Sequence, residues 1–205
     1  MEKQIFLAPA IMSVLLVVFS SNVISYAHEE RLYSIGDKDY WITVGSINEP
    51  VFVDDKSGAE AFILLADPSD PLNPESNGTV PVEGLDKFLK FEISAGDKKK
   101  IMSIKPAWND PGHYESTFYP TIETTYNYKL IGMINNVTIA LDYQCNENLL
   151  DPTTNLNSTE QISDNVLLKS KTGGFGCPQS RQDVGFPEPF TSNQDLVNMI
   201  KEVIK

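Results

Sequence analysis

Short segments of alternating or continuous apolar character follow one another through the middle of the chain. They read DYWITVGSI, AEAFILLAD, KFLKFEISAG, KKIMSIKP, HYESTFYP, TTYNYKLIG and NVTIALDYQC. Alternation with a period of two is typical of strands that bury one face, and turn sequences such as AGDKK, NDPG and GMINN separate the segments. About seven short strands without a helical period among them predict an all-β, antiparallel sandwich over residues 28–145.

The pattern changes after residue 145. Residues 146–191 are polar at first and then rich in Gly and Pro, which predicts an irregular extension tied down by a disulfide. Residues 192–205 follow helical spacing, with Ser192 as the N-cap and Asp195 three positions later. Their apolar stripe consists of Leu196, Met199, Ile200, Val203 and Ile204. We expect a short amphipathic helix that packs on its own domain, frays, or offers residues 192–204 to an envelope or membrane-protein partner.

Residues 1–27 have the layout of a secretory signal peptide. Lys3 precedes an apolar run of about 15 residues, shorter than the ~20 that a spanning helix needs. The small residues Ser25 and Ala27 mark a cleavage site. Cleavage after Ala27 would make His28 the first residue of an extracytoplasmic protein, which is secreted, periplasmic or on the cell surface. The alternative is an uncleaved N-terminal membrane anchor.

The charge balance argues against one class of partner. The chain has a formal net charge of −12 and only 16 Lys and Arg residues. Such a chain has no basic stripe to neutralise phosphates, so we expect no nucleic-acid partner.

Cysteines and sequons fit an exported chain. Cys145 and Cys177 are the two cysteines, and in an oxidising compartment they predict one disulfide. The alternative reading is a pair of thiolate metal ligands. The Asn-x-Ser/Thr triplets at Asn77, Asn136 and Asn157 predict glycan acceptors.

Three stretches resemble a known group of domains. They read VGSINEPVFVDDKSGAEAFILLAD, VPVEGLDKFLKFEIS and PGHYESTFYPTIETTYNYKLIG. Their order of turns and aromatic residues is similar to that of YtkA-like and FixH-like extracytoplasmic immunoglobulin-like domains. This resemblance covers residues 39 to 145. It implies an immunoglobulin-like sandwich in an exported protein, and it implies no particular activity.

A second resemblance, to CopC-like copper-binding sandwiches, rests on the two histidines of the chain. In that family the mature chain starts with His, and a loop Asp-x-His completes a copper site. Here His28 follows the leader, and Asp110 precedes His113 with the different spacing Asp-x-x-His. Strand phase assigns Tyr114 to the core face and therefore His113 to the outer face. An α-amine, two imidazoles and an aspartate oxygen suit Cu(II).

Together these patterns predict a non-catalytic binding or accessory module outside the cytoplasm. We expect Cu(II) binding by His28, His113 and Asp110, which requires the start of the mature chain to lie near the NDPG turn. The alternative is a protein-interaction module of a cell-envelope complex without metal. We do not expect an enzyme, because two histidines, one of them at the mature terminus, provide no Ser-His-Asp order.

Overall fold

The computed structural model of the protein describes residues 28–145 and 160–204. Its strands are β1 (His28–Ile35), β2 (Lys38–Ser46), β3 (Ser57–Leu65), β4 (Val80–Pro81), β5 (Leu89–Ala95), β6 (Lys98–Ser103), β7 (Lys105–Pro106), β8 (His113–Phe118), β9 (Tyr126–Ile134), β10 (Val137–Gln144), β11 (Glu160–Ser163) and β12 (Val166–Gly173). Short 3₁₀ turns lie at Leu85–Lys87 and Gln182–Val184, and one helix, α1, spans Asn193–Val203.

The strands form two antiparallel sheets. The first has the order β11-β12-β1-β2-β3-β8-β7, with β4 also paired to β3, and the second has the order β10-β9-β5-β6. Within them, β2-β3-β8-β7 and β10-β9-β5-β6 follow the A-B-E-D and G-F-C-C′ orders of immunoglobulin-like sandwiches. The expected all-β sandwich is therefore confirmed.

One apolar core lies between the two sheets. Ile42 and Ile63 enter it from the first sheet, and Phe91, Tyr128 and Tyr143 enter it from the second, all at most 1% exposed. Because side chains alternate along a strand, the residues on either side of each core residue face outward. Burial of each large apolar side chain contributes about 2 kcal/mol.

The expected irregularity of residues 146–191 is wrong for part of that segment. β11 and β12 pair with each other, and β12 pairs with β1, a strand that was also not expected. The lysines of β12 break the apolar alternation by which a strand is recognised in a sequence. One of them lies on the strand because it pairs with an acid that is itself buried. Glu29 is 4% exposed, and its Oε1 lies 2.6 Å from Arg31 Nη2 and 2.9 Å from Lys171 Nζ.

Cys145 and Cys177 are joined by a disulfide, with Cα atoms 4.9 Å apart and a sequence separation of 32. The disulfide prediction is confirmed, and the alternative of two thiolate ligands is wrong. Closing a loop of this length contributes about 3 kcal/mol in the chain-entropy model.

Helix α1 begins at the expected cap but does not pack by its apolar side. Ser192 Oγ accepts from the Asp195 N–H, and the Asp195 carboxylate accepts from the Ser192 N–H, which completes a capping box. No residue of α1 is buried, and Ile200 is 58% exposed. The apolar stripe is therefore not buried on its own domain. Among the described residues, no helix is long and apolar enough to span a membrane.

Two expectations fall outside the described residues. These are the signal peptide of residues 1–27 and the sequon at Asn157.

Candidate metal centre

Four positions lie in one row across the first sheet. His28 of β1 is opposite Gly45 of β2, Gly45 is opposite Glu60 of β3, and Glu60 is opposite Glu115 of β8. Neighbouring strands are about 4.8 Å apart, so the backbones at His28 and Glu60 are separated by about 10 Å. Gly45 has no side chain, and this leaves space for the His28 imidazole to reach across β2 towards Glu60.

This row lies on the outer face of the sheet. Val44, Ala61 and Tyr114 belong to the core, so their neighbours Gly45, Glu60 and His113 face the other way. The strand phase of HYESTF predicts this direction for His113.

Glu60 joins the two histidines. Its Oε1 lies 2.7 Å from His28 Nε2, and its Oε2 lies 2.8 Å from His113 Nε2. Both Glu60, at 6% exposure, and His113, at 8%, are buried although they face away from the core. A buried carboxylate is stable only when it is paired and hydrogen-bonded, and the two imidazoles provide that pairing.

Two further carboxylates face His113. Asp110 Oδ2 lies 2.9 Å from His113 Nδ1, and Glu115 Oε1 lies 3.9 Å from His113 Nε2. Ionised carboxylates only accept hydrogen bonds, so Asp110 is satisfied when Nδ1 carries a proton. That leaves Nε2 as the atom that can bind either a proton or a metal ion. A carboxylate behind a ligating imidazole is the usual way in which proteins orient such a ligand.

Phe62 fixes the ring of His113. The two residues are paired across β3 and β8, and their rings stack with centroids 4.0 Å apart and planes inclined by 20°. The Phe62 and His28 rings meet in a T-shaped arrangement, with centroids 5.8 Å apart. Phe62 therefore limits the rotation of both imidazoles.

Glu49 adds a half-buried acid beside this cluster. Burial raises the pKa of its carboxyl to about 7, while the Gly176 N–H and the nearby His28 oppose the increase. The Gly176 nitrogen lies 3.3 Å from Glu49 Oε1. The loop after β2 thus supplies a carboxyl group that gains or loses its proton near neutral pH.

The geometry brings together all three residues singled out in the sequence, His28, His113 and Asp110, but it changes the role of Asp110. Asp110 lies against Nδ1 of His113, where it orients the ring. Glu60, which the sequence pattern did not single out, takes the central position between His28 and His113. The available signal was an acidic residue inside the apolar run AEAFILL, where Glu60 is flanked by Ala59 and Ala61.

Glu60, His113 and Glu115 have ligand atoms within 4.8 Å of one another, a spacing suited to a metal ion. His28 Nε2 approaches the same Glu60 carboxylate. Imidazole nitrogen with carboxylate oxygen is a donor set that suits divalent first-row transition metals.

Comparisons with protein-family models, with curated proteins and with solved structures find no match to this chain. The resemblance to YtkA-like, FixH-like and CopC-like proteins therefore stays a prediction.

Proposed function

We propose that this protein is an exported, non-catalytic module that binds a divalent transition-metal ion, Cu(II) foremost, through His28, Glu60 and His113. The observation that supports this most is the single buried Glu60 carboxylate within hydrogen-bonding distance of both Nε2 atoms. In the metal-free protein, the Glu60 carboxylate can accept a hydrogen bond from an N–H of each imidazole. A metal ion would take the place of those protons, and Asp110 would retain the N–H at Nδ1 of His113.

Copper is favoured by general coordination chemistry. Among divalent first-row ions, Cu²⁺ forms the most stable complexes with a given set of nitrogen and oxygen ligands. If the leader is cleaved after Ala27, the α-amine of His28 would bind the ion together with Nδ1 of that imidazole, in place of the Nε2 atom that faces Glu60 here. Glu115, whose side chain is 38% exposed, would complete the set from the solvent side.

The test compares two forms of the protein in Cu(II) titrations, one beginning at His28 and one with a single extra residue before it. Binding by both forms, lost in Glu60→Gln, would indicate a site made of side chains. Binding lost on the extension would indicate that the α-amine is a ligand. Equal weak binding by both forms and by Glu60→Gln would reject the metal site.

A second candidate function is a protein-interaction module that uses residues 192–204. Its support is the exposed apolar stripe of α1, in which Val203 is 86% and Met199 58% exposed. Exposed apolar surface of this kind is typical of contact sites. The partner would be an envelope or membrane protein.

A photoreactive residue at Ile200 tests this candidate in intact cells. The matched control position is Gln194, whose side chain donates to Asn198 on the polar side of the helix. Crosslinks from position 200 and none from position 194 would support the module. Equal crosslinking, or none, would reject it.

Export is part of the proposal as well. The Cys145–Cys177 disulfide is typical of an oxidising compartment. Asn77 and Asn136 are exposed, as glycan acceptors must be. Intact mass before and after glycosidase treatment of protein from a glycosylating host would show whether these positions are used.

A further inference from the structure

The C-terminal extension contacts the candidate metal centre through one short segment, residues 174–179, here called the strap. The Gly174 N–H donates to the His28 carbonyl at 3.0 Å. On its other side, His28 is paired with Gly45. The backbone of His28 is thus held between β2 and the strap, at the very start of β1.

The strap also supports the loop that follows β2. Besides its bond to Glu49, it donates from the Gln179 N–H to the Val51 carbonyl at 2.9 Å, and the Gln179 carbonyl accepts from the Val53 N–H at 2.9 Å. The strap therefore lies along both His28 and the half-buried Glu49.

The strap is anchored to the second sheet at two points. Phe175 is fully buried and stacks on Tyr128 of β9, with centroids 5.0 Å apart. Cys177 is bonded to Cys145, which follows β10 and whose N–H donates to the Tyr126 carbonyl at 3.0 Å. Within the described residues, the Cys145–Cys177 disulfide is thus the only side-chain covalent bond between the strap and the sandwich, besides the main chain that continues from β12.

We propose that the disulfide-anchored strap positions His28, so that the metal centre is complete only in the oxidised protein. This inference rests on the proposed metal binding. The redox step is thiol–disulfide exchange: the Cys145 and Cys177 thiols give two electrons and two protons to a disulfide oxidant, which is released as two thiols. The protein gains one S–S bond. Metal binding would then follow export into an oxidising compartment, not precede it.

The first experiment compares the exported, oxidised protein with the double variant Cys145→Ser/Cys177→Ser, so that no reductant competes for the metal. Cu(II) affinity is measured by competition titration, and the ligand set by electron paramagnetic resonance. We expect the double variant to bind at least tenfold more weakly, with a spectrum that has lost one nitrogen ligand. A folded double variant with unchanged affinity and spectrum would overturn the inference.

A second pair of variants separates the strap from global stability. Gly174→Pro removes the N–H that donates to the His28 carbonyl, and it leaves the disulfide intact. Gly174→Ala keeps that N–H. We expect the spectral change for Gly174→Pro alone. If the two variants behave alike, the inference fails even if the double Ser variant cannot be purified. If the oxidised wild-type protein binds no Cu(II), the proposed function itself fails, and the inference fails with it.

Discussion

Replacing Glu60 by Gln is the most direct test of how the centre is built. The substitution keeps the size of the side chain and removes the charge that both histidines share. In the wild-type protein the carboxylate lies 2.7 Å from the His28 imidazole and 2.8 Å from the His113 imidazole. Among the described residues, no other side chain is hydrogen-bonded to both histidines. Changes behind a metal ligand typically weaken binding 10–100-fold, and we therefore expect loss of this ligand to weaken it by at least ~100-fold.

The expected magnitude can be stated as a thermal shift. A ligand at 100 times its Kd stabilises the folded state by about 2.7 kcal/mol. If Kd rises ~100-fold at the same metal concentration, the stabilisation falls to about 0.4 kcal/mol. For a protein of this size, 1 kcal/mol corresponds to about 2–4 °C in Tm. A metal-induced shift of about 5–10 °C should therefore shrink to about 1 °C.

The assay is thermal unfolding followed by circular dichroism, with and without Cu(II), at one fixed metal concentration. Glu123→Gln is the matched control, because Glu123 is exposed in the loop before β9. That variant should keep the full shift. If Glu60→Gln also keeps the full shift, Glu60 is not a metal ligand.

Three further predictions follow from single contacts. Asp110→Asn should weaken Cu(II) binding 10–100-fold in calorimetry, since Asp110 orients His113; unchanged affinity would contradict that role. Gly45→Leu should abolish binding without altering the circular dichroism spectrum, because its side chain would occupy the path of His28 across β2; normal binding would refute that path. Burial raises the pKa of Glu49 from 4.5 to about 7, so the folded state retains a proton that the unfolded state releases, and stability should fall as pH rises from 4.5 to 7. In urea unfolding of metal-free protein, Glu49→Gln should flatten that slope, and an unaltered slope would count against the assignment.

The strand pattern was readable because each strand of the sandwich buries one face. HYESTF and KFLKFEIS alternate in the sequence as they do in the fold, and the phase of the first one assigns His113 to the outer face. The capping box at Ser192 was readable for a similar reason, because its interactions span only three residues. β12 was not readable, because Lys171 pairs with Glu29, a residue more than a hundred positions earlier.

The sequence by itself thus determined the class of fold, the disulfide partners and the residue types available for chemistry. Local periodicity carries that information, and with two cysteines only one pairing exists. Which side chains meet was decided by the tertiary structure alone. Strand order and register bring His28, Glu60 and His113 together, and they place Gly45 where a larger side chain would separate them. Register depends on pairing between strands that are distant in the chain, and no local pattern in the sequence records it.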